Sequence, residues 1–150
     1  MMKLAFYIAE HGEILDRFIG LLTLGSYSHV EIVFDDDWWF SASTRDGGTR
    51  FKKIVGGTHW DYLPIKCDSG QEAAIYNWCK NHVGISYDYI GALGLCVGIN
   101  MSSNTKWYCS RIVANVLLQY DLIDINSDRV SPNGLHGIVA AKLVRSGKWS

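Results

Sequence analysis

Proline is scarce in this chain, with only Pro64 and Pro132 among 150 residues, and no Gly/Ser linker or internal repeat divides it, so a single domain over residues 1–150 is expected. Charge of one sign is also missing. Fourteen basic residues against fifteen acidic ones leave −1, with no general field to attract nucleic acid or an anionic membrane, and nucleic acid is not an expected partner. The longest weakly polar stretch, from Ile90 to Ile99, carries Gly91, Gly94 and Gly98 and falls far below the roughly 20 residues a transmembrane helix needs. The run from Met1 to Ala9 meets Glu10 and His11 before it can form the apolar core of a secretory signal, so none is expected. Cysteine is modest: Cys67, Cys79, Cys96 and Cys109 form no C-x-x-C pair and no zinc-ligand spacing, which predicts reduced thiols and neither a metal nor another cofactor. What the chain does have is aromatic side chain. Six Trp, eight Tyr and five Phe include the adjacent Trp38 and Trp39, and with Trp60 and Trp107 they are expected to line a groove.

The hydrophobic period divides the chain into two halves. Lys3 to Ala9 reads as a strand, and Glu13 to Leu24 as a helix with Ile14, Phe18, Leu21 and Leu22 on one stripe, stopped by Gly25. Ser28 to Phe34 then follows a period of two, and Asp35-Asp36-Asp37 turns it into Trp38–Ser43. The turn Asp46-Gly47-Gly48 leads to a strand over Thr49–Val55, and Gly56-Gly57 to another over Trp60–Ile65. After Cys67 the signals become helical. Ser69-Gly70-Gln71-Glu72 reads as a capping box for a helix through Val83, with Gly84 at the C′ position. Asp88–Gly98 is a second helix in this reading and Tyr108–Tyr120 a third, while Ser131-Pro132 opens a short last one. Strands first and helices after predict an α+β fold with an antiparallel sheet.

Ile112, Val113, Val116, Leu117 and Tyr120 form the buried stripe of the third helix, and Cys109 lies on it three residues before Ile112, so its thiol is expected to face the sheet. It also falls in the first turn, where unpaired N–H groups and the helix dipole favour a thiolate. A cysteine there is equally a small buried hydrophobe. A nucleophilic thiol needs an imidazole, and the choices are His11, His29, His59, His82 and His136. His29 stands out, because the period of two puts His29, Glu31 and Val33 on one strand face and Val30, Ile32 and Phe34 on the other. If the apolar face fills the core, His29 and Glu31 point together toward whatever packs opposite, for which the Cys109 helix is one choice; the alternative is a half-exposed strand with a polar outer face. Cys67, Cys79 and Cys96 are read as packing or surface thiols.

Ser28-His29-Val30-Glu31, Tyr87-Asp88-Tyr89-Ile90-Gly91 and Trp107-Tyr108-Cys109-Ser110-Arg111-Ile112-Val113, in that order, resemble the circularly permuted NlpC-type papain-like cysteine hydrolases, the YiiX-like group. The turn Arg45-Asp46-Gly47-Gly48 and the late Ser131-Pro132-Asn133 bring the likeness nearest to small bacteriophage-encoded members. The resemblance implies a small antiparallel barrel-like sheet packed against helices, with Cys109 as nucleophile and His29 as its base on a facing strand. In many permuted members a carboxylate follows on the next strand, where this chain has Phe40-Ser41-Ala42. Glu31 is therefore the first choice for the orienting role, with Ser41 and Asp46 behind it. Tyr108 and Tyr7 are supporting polar groups in this reading, and Asp88 is an N-cap. The expected activity is thiol-dependent hydrolysis of an amide or ester, with a peptide, a peptidoglycan fragment or a lipid-like acyl group as substrate. The competing class is a repurposed binding protein on the same fold. The expected location is the cytoplasm of a bacterium or phage-infected cell, or a phage particle.

Overall fold

The computed structural model describes residues 1–11, 25–88, 91–92 and 107–147. Five strands form one antiparallel sheet: β1 (Lys3–Ile8), β2 (Tyr27–Val33), β3 (Trp38–Ser43), β4 (Gly48–Lys53) and β5 (Trp60–Pro64), in the spatial order β4-β3-β2-β1-β5. Three helices pack against it among the described residues: α1 (Ser69–Asn81), α2 (Cys109–Gln119) and α3 (Pro132–Arg145). The protein is α+β, and no described helix is long and apolar enough to cross a membrane. The expected helices over Glu13–Leu24 and most of Asp88–Gly98 lie outside the described residues, as does Cys96.

Local chemistry accounts for the element ends. Asp37 adopts φ 61° in the β2–β3 turn, a left-handed conformation that a short polar side chain tolerates. The cap of α1 is Asp68 rather than Ser69: its carboxylate accepts from the Gln71 N–H at 2.8 Å, and the Gln71 side chain accepts from the Asp68 N–H at 3.1 Å. Ser131 caps α3 by accepting from the Gly134 N–H at 3.0 Å. That last helix runs fourteen residues rather than a short turn, because Leu135, Val139 and Leu143 give it a buried stripe. Asp88 does cap, accepting from the Gly91 N–H at 2.9 Å.

The sheet buries both faces. On one, Leu4, Phe6, Val30, Ile32 and Phe40 join Ile112, Val113 and Val116 of α2 in the main core; on the other, Ala5, Val33 and Trp39 form a smaller cluster backed by Ile54 and Trp60. The Cys109 helix thus covers the Val30 and Ile32 face and not, as the strand period allowed, the His29 and Glu31 face. β1 pairs along its whole length with β2 and β5, but β2 and β3 pair only at Ile32↔Phe40 and Val33↔Trp39. Beyond that the strands part, and the Ser41 hydroxyl donates to the Val30 carbonyl at 2.7 Å in place of a ladder bond.

The chain before α2 is tied to the start of β4. Thr49 N–H donates to the Ile85 carbonyl at 2.8 Å and Tyr87 N–H to Gly47 at 3.0 Å, while Trp107 N–H donates to Ser86 at 3.2 Å and Asp88 N–H returns to Trp107 at 2.9 Å. Trp107 is thereby fixed two residues before Cys109. Gly48 permits the approach, since a Cβ there would stand 2.1 Å from the Ile85 carbonyl oxygen. Gly48→Ala should therefore cost about 1–3 kcal/mol in urea unfolding. Gly57→Ala, where a Cβ meets nothing within 4 Å, should stay within about 0.5 kcal/mol of wild type; equal effects would remove the close approach as the cause.

Candidate active site

Three elements meet at His29. β2 carries it with Glu31 two residues on, α2 supplies Cys109 as its first residue, and β4 sends Arg50 across β3. The His29 imidazole hydrogen-bonds the Cys109 side chain, and its Nε2 lies 3.1 Å from Glu31 Oε1. Nε2 being taken by the carboxylate, Nδ1 is the nitrogen left for the thiol. Glu31 is 2% exposed. Arg50 grips it with two prongs, Nη1 donating to Oε2 at 2.7 Å and Nη2 to Oε1. Arg50 is held in turn by Asp46, which accepts from Nε at 3.1 Å and from Lys52 Nζ at 3.0 Å. Ser41 stands opposite Arg50 in the β3–β4 ladder, and its small side chain leaves the room through which the guanidinium crosses.

These contacts set the charges. Burial works against an imidazolium at His29, but the Cys109 thiolate, the hydrogen bonds to Cys109 and Glu31 and the Glu31 charge more than offset it and raise His29 from 6.5 to about 10. Burial likewise works against a carboxylate at Glu31, yet His29 and then Arg50 hold it below the usual carboxylate range. The arrangement is a thiolate, an imidazolium, a carboxylate and a guanidinium in series.

A cleft of about 260 Å³ opens beside this series, with Tyr7, Ser28, His29, Glu31, Trp60 and Tyr87 in its wall. Tyr7 pairs with His29 in the ladder and packs edge-on to Trp60 at 4.9 Å. Of the aromatic side chains expected to line a groove, Trp60 is in this wall. Trp38 is not, because it stacks on Phe51 at 4.9 Å in the main core, on the opposite sheet face. Trp39 is buried beneath Trp60, with ring centroids 5.0 Å apart, and Trp107 lies against the Arg111 guanidinium at 4.9 Å. Tyr108 is the buried N-cap residue of α2. Of the three residues weighed for the orienting role, Glu31 touches the imidazole, Ser41 bonds the Val30 carbonyl, and Asp46 braces Arg50 and Lys52. Arg50 went unread in the sequence. The signal for it was the Asp46-Gly47 turn, whose hairpin register sets Arg50 across from Ser41. Among the described residues no group of three or more His, Cys, Asp or Glu side chains is placed to hold a metal ion.

No family model matches the chain, and no curated protein or solved structure matches it. The class that fold and site define is an α+β protein with a Cys–His–Glu series at the junction of a helix N-terminus and an antiparallel sheet.

In ring-resolved NMR, His29 should remain an imidazolium at pH 8 and titrate near 10, and Glu31→Gln or Cys109→Ala should each bring that titration toward 6.5. A histidine raised on folding stabilises the fold fully below its unfolded value near 6.5, and that contribution is lost as pH rises toward 10. Between those limits wild type should lose stability more steeply than Glu31→Gln. A wild-type midpoint near 6.5 would break the proposed charge series.

Proposed function

We propose that this chain is a cysteine hydrolase on a circularly permuted, NlpC-type papain-like fold, cleaving an amide or ester bond through an acyl-enzyme on Cys109. The observation that carries the reading is the His29 imidazole held between the Cys109 side chain and the buried Glu31 carboxylate. In this reading the proton already rests on His29, and the Cys109 sulfur attacks the substrate carbonyl carbon while the C=O electron pair moves to oxygen. The Cys109 N–H, free of any side-chain cap at the start of α2, helps hold that oxyanion. Collapse re-forms the carbonyl and expels the leaving group, which takes the proton from His29. Neutral His29 then takes a proton from water, and the resulting hydroxide attacks the thioester and releases acid and thiolate. Glu31 keeps the imidazole in place and stabilises its charged form without taking the proton. The substrate classes for this reading are a cell-wall peptide, another amide or a lipid-like acyl group.

The chemistry separates Cys109 from the other described thiols. Burial pushes the Cys79 thiol up and raises that of Cys67, and neither has an imidazolium among its causes of shift. Limiting iodoacetamide near pH 6 should therefore label Cys109 ahead of Cys67 and Cys79, with His29→Ala slowing it. Cys109→Ala should abolish the acyl adduct formed in cell-wall or lipid extracts while unfolding remains cooperative, and Cys79→Ala should keep turnover near wild type. Alkylation spread evenly over the thiols, or trapping at another cysteine, overturns the assignment; Cys109 labelling with no acyl adduct from any extract favours a binding protein instead.

A further inference from the structure

Four hydroxyl side chains are buried in the described part of the fold, and three have evident work. Ser41 donates to the Val30 carbonyl at 2.7 Å, Ser110 to the Val130 carbonyl at 2.6 Å, and Thr49 bonds the His82 carbonyl at 2.5 Å while accepting from the Ile85 N–H at 2.9 Å. Ser28 is the exception: it is 4% exposed, and its Oγ has no hydrogen-bond partner. An unsatisfied buried hydroxyl costs about 1–3 kcal/mol, so its presence calls for a reason. Its position supplies one. Ser28 immediately precedes His29, lines the same cleft, and lies in the half of β2 that β3 leaves unpaired. The buried Trp39 Nε1 also lacks a partner, but Trp39 does not reach the cleft wall.

We propose that Ser28 is a further catalytic residue, its hydroxyl donating to the oxyanion that forms when Cys109 attacks a carbonyl, alongside the Cys109 N–H. The inference rests on the acyl-enzyme reading above. A hydroxyl is a donor whose hydrogen rotates to suit its acceptor, and a donor already stripped of water needs no further desolvation when charge develops on the substrate oxygen. Alanine in its place would fill nearly the same space and remove only the donor. The first turn of α2 has no side-chain cap to compete for the anion.

Two reagents separate this role from any effect on the thiolate. p-Nitrophenyl acetate acylates Cys109 through a tetrahedral oxyanion: sulfur bonds to the carbonyl carbon, the π pair passes to oxygen, and collapse expels p-nitrophenolate to leave a thioester. Iodoacetamide alkylates the same sulfur by displacing iodide, with no oxyanion. Ser28→Ala should slow the p-nitrophenolate burst by about 10²-fold and leave the iodoacetamide rate at Cys109 within about twofold of wild type, with Ser28→Thr recovering part of the burst rate. Equal loss with both reagents would make Ser28 a structural support of the pair, and an unchanged burst would remove it from the chemistry; either overturns this inference and leaves the hydrolase reading standing. A wild-type protein that is alkylated at Cys109 yet never acylated overturns both.

Discussion

Glu31 is a charge buried in a strand whose neighbouring side chains are Val30 and Ile32, and a carboxylate in that setting persists only with partners. It has two of opposite sign, His29 from the same strand and Arg50 from β4. Losing one partner of such a group leaves an uncompensated buried charge, at a cost of roughly 3–5 kcal/mol. The carboxylate therefore couples fold to site. Arg50 must be opposite Ser41 to reach it, which fixes the β3–β4 register, and Asp46 must brace Arg50, which fixes the turn between those strands.

The second constraint is a gap. A fully zipped β2–β3 ladder would separate a thiol on the α2 side of the sheet from an imidazole on the other. Here the ladder ends after two residue pairs, and the first residue of α2 meets the unpaired half of β2. Ser41 satisfies the Val30 carbonyl across the opening, so the gap does not leave that acceptor orphaned. Segment 84–88, pinned to the start of β4 and to Trp107, sets where α2 begins.

The aromatic side chains divide between these two faces. Phe34, Phe51 and Tyr76 pack edge-on beneath α1, with ring centroids 5.0–5.9 Å apart, and Trp38 stacks on Phe51. On the His29 face no described helix covers the sheet core, and Trp39, Trp60 and Tyr62 shield it themselves. Only the outermost of these rings is left to wall the cleft, which is why abundant tryptophan made a narrow aromatic wall and not a groove.

Sequence alone was enough for the class of fold, the five strands to within a residue or two, and the pairing of His29 with Glu31, because each depends on short-range periodicity or turn chemistry. A period of two puts residues 29 and 31 on one face whatever lies beyond the strand. The buried stripe through Cys109 and Ile112 was legible for the same reason. The cap of α1 slipped by one residue because Asp68 and Ser69 are both good caps and the choice lay with the Gln71 side chain. Arg50, the β2–β3 gap and the face covered by α2 depend on contacts between residues far apart in the chain, and nothing local encodes their distance. Tertiary structure alone decided that Ser41 would bridge strands, that Asp46 would brace an arginine, and that Trp38 would turn into the core, since strand order and register determine which alternating face meets which neighbour.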